Sequence, residues 1–287
     1  MIGAIELGLI YVVMAVGVYL TFRVLNFADL TVDGSFTTGA ATSALLITNG
    51  TNPFLATAAG FVAGFLAGTV TGLLHTKGRI DGLLAGILTQ IGLWSINLRI
   101  MGSANIPLLS VDTVYTPFDA LVGTWAGVGL LAVVAALLTA LTVWFLSTDL
   151  GLSLRATGNN EQMITSFGVS TDFTKTLALG LSNGLVGLAG ALVSQYQGFA
   201  DISMGIGLIL VGLASVIIGQ AIIPQRRLWL VVASVGVGAV IYRLIIFGAL
   251  SVGLNPNDMK LITALLVIAA LLLPRLTGSA GRRKAHA

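Results

Sequence analysis

The sequence contains no cysteine, which removes disulfides, thiolate metal sites and cysteine nucleophiles in one step. Charge is almost as scarce. Asp, Glu, Lys and Arg make up 9% of the 287 residues, against about 25% in a soluble domain. So few charges cannot clothe a globule of this size in water, and lipid must cover most of it. Two histidines occur, His75 and His286, and neither has a neighbour at metal-ligand spacing. No G-x-S-x-G elbow, H-E-x-x-H helix or G-x-x-x-x-G-K-[ST] loop is present, so the residues offer neither catalysis nor a phosphate loop for ATP. The net charge of +3 is small and lends no support to nucleic-acid binding.

Apolar residues and glycine are plentiful, at 56% and 36 residues, with a mean hydropathy of +0.99. Small residues let membrane helices approach closely. Apolar runs predict an all-α, polytopic membrane bundle of about 8–10 segments, given that about 20 residues cross a bilayer core. They lie near 2–22, 34–48, 53–74, 82–101, 120–146, 174–196, 205–223, 228–249 and 259–274. The runs at 34–48 and 259–274 are short, as expected of broken, re-entrant or protein-shielded helices. No basic region precedes the first run and Glu6 sits near its start, so it reads as a retained span rather than a signal peptide.

Placing the C-terminus in the cytoplasm puts 11 of the 14 basic residues inside. These are Arg23, Lys77, Arg79, Arg155, Lys175, Arg226, Arg227, Arg275, Arg282, Arg283 and Lys284. Arg99, Arg243 and Lys260 remain. The positive-inside rule therefore predicts a multi-pass protein of the cell membrane with a cytoplasmic C-terminus. The inner segment 147–172 is longer than a passive connector. Its part 159–167, with Met163, Ile164 and Phe167, has the spacing of a short amphipathic helix. It is either a solvated loop or a docking element for a cytoplasmic partner.

Phe27-Ala28-Asp29 recurs as Phe199-Ala200-Asp201, 172 positions on. Each copy ends one long apolar run and opens the next, and the topology points the two in opposite directions. "RIDGLLAGIL" from Arg79 and "PNDMKLITALL" from Pro256 repeat more faintly. The single transmembrane domain thus divides into repeat 1 (about 1–101), a linking span (about 120–146), a central segment (about 147–173), repeat 2 (about 174–274) and a tail (275–287). Inverted repeats are common in transporters, whose sites lie between the halves; chance matching of apolar segments is the alternative.

Asn26, Phe27, Asp29 and Asp33 at the first junction, and Phe199 and Asp201 at the second, are candidates for the solute path; capping of the following helix by a side-chain oxygen is the alternative for Asp29 and Asp201. Gln90, Ser95, Asn97, Ser182, Asn183 and Gln195 are polar groups within spans. They serve interhelical hydrogen bonds or line a path, with Gln90, Asn97 and Asn183 taken as path candidates. Arg243 is the deepest basic residue. It either faces protein or snorkels outward, or it lines a solute path. Glu6 and Arg99 lie near the outer boundary, where no special role is needed. No acidic chain resembles a proton relay, which disfavours an ion-coupled carrier.

"LNFADLTVDGSF" from Leu25, "GLSLRATGNNEQMITSFGVS" from Gly151 and "GLVGLAGAL" from Gly184 resemble motifs of the permeases of branched-chain amino acid ABC importers. The sequence Asp29-Leu30-Thr31-Val32-Asp33-Gly34 departs from the usual continuation after "LNFA". It looks closer to an uncharacterised subfamily assigned to aromatic amino acids; nucleoside and simple-sugar permeases belong to the same broad family. The resemblance implies a homodimer that docks cytoplasmic ABC ATPase subunits, receives solute from an extracytoplasmic binding protein, and binds no cofactor itself. ATP and magnesium would be held by the partner. It implies ATPase coupling through Arg155, Ala156, Asn159, Asn160, Glu161, Met163, Phe167 and Gly168.

Overall fold

The computed structural model describes residues 1–223, 225–253, 258 and 260–269. The first long helix, α1 (Ile2–Tyr19), runs on through a π turn, Leu20–Val24. It ends where Asn26 takes a left-handed conformation, φ 56°. Then follow α2 (Thr31–Thr48), α3 (Pro53–Thr76) and α4 (Gly82–Met101). Sequence sets their starts locally. Asn52 accepts from Phe54 N with Pro53 at the first helical position, and Asp81 accepts from Leu83 N at 3.0 Å.

A short strand β1 (Asn105–Pro107) leads through an irregular stretch to α5 (Trp125–Ser147). Next come α6 (Asp149–Asn159), α7 (Glu161–Ser166) and α8 (Thr171–Gln197). Strand β2 (Phe199–Asp201), α9 (Leu208–Ile222), α10 (Leu228–Ser251) and α11 (Lys260–Ala269) complete the described chain. β1 and β2 pair antiparallel, Ile106 opposite Ala200.

Six helices are long and apolar enough to cross a membrane: α1 with its π turn, α3, α4, α5, α8 and α10. This is a multi-pass membrane protein. The remaining expected spans divide by cause. α2 has 18 residues but carries Thr31, Asp33, Ser35, Thr37 and Thr38, all buried; neighbouring helices shield it. The segment 205–223, read from sequence as a full span, is corrected by α9. It has 15 residues, about 22 Å at 1.5 Å per residue, short of a ~30 Å core. Gly207, at φ 84°, and the turn before it take up the missing length. Of 259–274, residues 260–269 form α11; the rest, and the tail 275–287, lie outside the described residues.

Backbone packs on backbone where α2, α3 and α8 cross. A Cβ on Gly39 would overlap the Gly187 backbone, and one on Gly187 would come within 2.6 Å of the Gly60 carbonyl. The glycine face expected on α8 is used: Gly180 meets Phe65, Gly184 meets Phe61 and Gly187 meets Gly64. Close approach of this kind is how membrane helices gain dispersion energy without a hydrophobic drive.

Candidate functional site

Each Phe-Ala-Asp copy follows a left-handed residue, Asn26 at φ 56° and Gly198 at φ 78°. That turn stops a long helix and sends the chain toward a buried one. At the first junction Phe27 packs edge-on to His75, with 5.1 Å between ring centroids, and against Gly82. Asp29, 2% exposed, accepts from Thr31 N at 2.9 Å and from Asn183 Nδ2 at 2.6 Å. It therefore caps the start of α2 and binds α8 with the same carboxylate. Thr31 in turn meets Thr71 of α3 at 2.7 Å.

Asp33 works across the fold. Its carboxylate accepts from Gly207 N at 2.8 Å and Ile209 N at 2.9 Å. It thereby satisfies the orphan amides at the start of α9, 174 positions away. The first turns of the two short helices thus meet head to head. Beside them lies a small polar notch lined by Asp33, Thr37, Gln90, Trp94, Asn97 and Ile206. Asn97 donates to Gly34 O at 3.4 Å while its Oδ1, buried, has no partner among the described residues. The notch holds about 20 Å³, room for roughly one water.

The sequence-derived path residues therefore fall in four places. Asn26 and Phe27 lie at the first junction, and Asp29 with Asn183 forms a buried network. Asp33, Gln90 and Asn97 meet at the notch. Phe199 and Asp201 sit apart on the β1–β2 ribbon, where Phe199 opposes Pro107. Asp201 accepts from Ser203 N at 2.8 Å and from Asn105 Nδ2 at 3.4 Å. It closes a turn rather than capping α9, whose cap is Asp33. Trp94, Thr37 and Ile206 were not singled out by sequence.

Two polar groups hold the opposite end of the bundle. Gln195 of α8 donates to Ser43 and Thr57 at 3.0 and 2.8 Å and accepts from Val114 N. Glu6, read as a boundary residue, is 0% exposed. It accepts from Tyr196 OH at 2.7 Å and Gly123 N at 2.9 Å. A carboxylate inside a continuous apolar run was the available signal for it. Arg99 is exposed.

The central segment is helical at two places rather than one. The short helix expected over 159–167 is α7, and α6 precedes it; Asn160, extended at φ −158°, separates the two, and its side chain caps α7 by accepting from Met163 N at 3.0 Å. Arg155 and Ala156 are half-buried and Asn159 exposed on α6, Gly168 (φ 83°) ends the α7 turn, and Glu161 pairs with Lys175 at 2.6 Å. The hydrogen bond from Lys175 outweighs partial burial and holds the Glu161 carboxyl below the usual carboxylate range. Met163 (47%) and Phe167 (75%) point away from the bundle. Arg155 shares a cavity of about 650 Å³ with Arg23, Arg226 and Arg227, so basic residues from three parts of the sequence converge at one end.

Comparison with known proteins sets this geometry in context. The family described as the permease component of the branched-chain amino acid transport system matches residues 1–273. The tyrosine transport system permease protein of Clostridioides difficile is 40% identical over 270 residues, 94% of this chain and 90% of that protein. The ribose import permease protein of Bacillus subtilis is 26% identical over 280 residues, 95% and 81% of the respective chains. Among solved structures, PsaBC from Streptococcus pneumoniae in complex with Fab superposes with a TM-score of 0.56 at 16% identity, over 93% of this chain and 89% of that one. At that identity it speaks for the fold alone.

Proposed function

Because the chain belongs to the branched-chain amino acid transport permease family, we propose that it is the membrane-spanning subunit of an ABC importer. It moves an amino acid inward on ATP hydrolysed by a separate subunit. The 40% identity to a tyrosine permease against 26% to a ribose permease favours an amino acid over a sugar. ATP and magnesium are held by the partner ATPase, and an extracytoplasmic binding protein delivers the solute.

The observation that carries this reading is the α6–α7 unit at the basic end. It presents Met163 and Phe167 outward while Leu154, 1% exposed, and the close contact of Gly158 with Val24 fix it to the bundle. Exposed apolar side chains one turn apart beside a polar helix suit a protein partner, and the positive-inside rule favours a cytoplasmic position for this end, with the C-terminus. ATP-driven movement of α6–α7 would rock the two repeats about the meeting point of α2 and α9. The notch is closed to solute in this conformation. It lies on the flank of α4, where Leu84, Leu88, Ile91 and Trp94 are exposed, and a second copy of the chain would cover that flank.

Phe167→Glu tests the docking assignment. The variant should fold and remain monodisperse, because Phe167 is outside the core, yet retain its cognate ATPase at least about tenfold less well on co-purification, as expected for a desolvated aromatic anchor. Wild-type retention would sink the assignment.

A further inference from the structure

Two of the three basic residues that the sequence places away from the basic end, Arg243 and Lys260, line one cavity of about 620 Å³. It is built from Tyr11 of α1, the start of α9 (Gly207 and Leu208), Tyr242 and Arg243 of α10, and Lys260 of α11. That volume falls in the range of small-molecule sites. The Arg243 guanidinium lies 4.0 Å above the Tyr11 ring centroid. Its Nε is buried without a hydrogen-bond partner among the described residues.

Among the described residues, neither cation has a carboxylate within ion-pair distance. Among the described residues the ion pair found is Lys175–Glu161, at the other end. Asp33 is close enough to feel Lys260, but its oxygens are taken by the Gly207 and Ile209 amides. Arg243, deep in α10 with its Nε buried, is costly without an anion unless something supplies one, and the exposed Lys260 adds a second positive charge at the rim of the same cavity. A guanidinium fork suits a carboxylate, which it grips through two parallel hydrogen bonds. The tyrosine rings beside it offer an amphipathic wall for the rest of such a molecule.

We propose that this cavity binds the carboxylate of the transported solute, so that the permease itself selects carboxylate-bearing amino acids over neutral sugars. The inference rests on the importer reading above and deepens it. Continuity with the notch supports it: Ile206 lines both spaces, so a solute held by Arg243 lies next to the meeting point of α2 and α9.

The test uses the whole complex, permease with its ATPase and binding protein, in proteoliposomes, with L-tyrosine as probe and uptake per ATP hydrolysed as readout. Arg243→Gln and Lys260→Gln should each lower that ratio by about tenfold, the scale of one lost charge-assisted contact. Arg243→Lys, which keeps the charge, should recover much of it. Lys260 is exposed, so its variant folds even where the loss of the Arg243–Tyr11 contact harms the other. Wild-type ratios in both Gln variants would overturn the proposal. So would a loss in Arg243→Gln that Arg243→Lys does not mend while Lys260→Gln stays normal, since that pattern marks a purely structural arginine. A wild-type complex that hydrolyses ATP but moves D-ribose and no amino acid would overturn the carboxylate subsite while leaving the importer reading standing. A complex that never hydrolyses ATP would sink both.

Discussion

Asp33→Ala is expected to abolish uptake and to lower stability by about 2–6 kcal/mol, the cost of leaving two half-buried amides without their acceptor at about 1–3 kcal/mol each. The two amides are Gly207 N and Ile209 N, at the half-buried start of a helix. Asp33→Asn should fall between, because its amide keeps one acceptor oxygen and turns a donor toward the second amide. Thermal unfolding in detergent, together with uptake by the reconstituted complex, reads both effects. An unchanged midpoint in Asp33→Ala would show that α9 is not held from α2.

The second large effect lies at the glycine crossing. Gly39→Ala should destabilise by about 3 kcal/mol or more, at or beyond the upper end of ordinary overpacking. Its new methyl group meets the Gly187 backbone rather than a side chain that can turn away. Gly39→Leu should yield no monodisperse protein. Gly92 of α4 provides the contrast: nothing lies within 4 Å of its would-be Cβ. Gly92→Ala should therefore be neutral or stabilising by up to about 1 kcal/mol, through helix propensity alone. Size-exclusion profiles and unfolding midpoints of the three variants decide the matter. Equal behaviour of Gly39→Ala and Gly92→Ala would mean that α2, α3 and α8 do not touch at their backbones.

The helical membrane class was legible because it depends on composition and apolar run length alone. The recurrence of Phe-Ala-Asp pointed to two sites where a long helix stops. Asn26 and Gly198, both left-handed, show how the backbone does it. Depth was harder to read. The segment around α9 has the hydropathy of a span, but turn residues at its start consume the length, and hydropathy does not distinguish a helix that crosses from one that starts part-way. Partnership was not legible. Asp33 and Asp201 occupy similar junctions, yet only Asp33 reaches α9, because the pairing joins residues 174 positions apart. Glu6 was misjudged for the same reason, since Tyr196 and Gly123 are distant in sequence. The short helix expected over 159–167 is α7, but α6 before it was not legible, because an Asn such as Asn160 can continue a helix or cap the next one, and only the fold selects between them.

The central claim is tested most directly by uptake into proteoliposomes that hold this chain with its ATPase, supplied with solute-loaded binding protein and assayed with and without ATP. The account predicts uptake that requires ATP, stops when the ATPase is catalytically dead, and continues when an ionophore collapses every ion gradient. Uptake by the chain alone, driven by a gradient and abolished by the ionophore, would contradict it and make the chain an ion-coupled carrier.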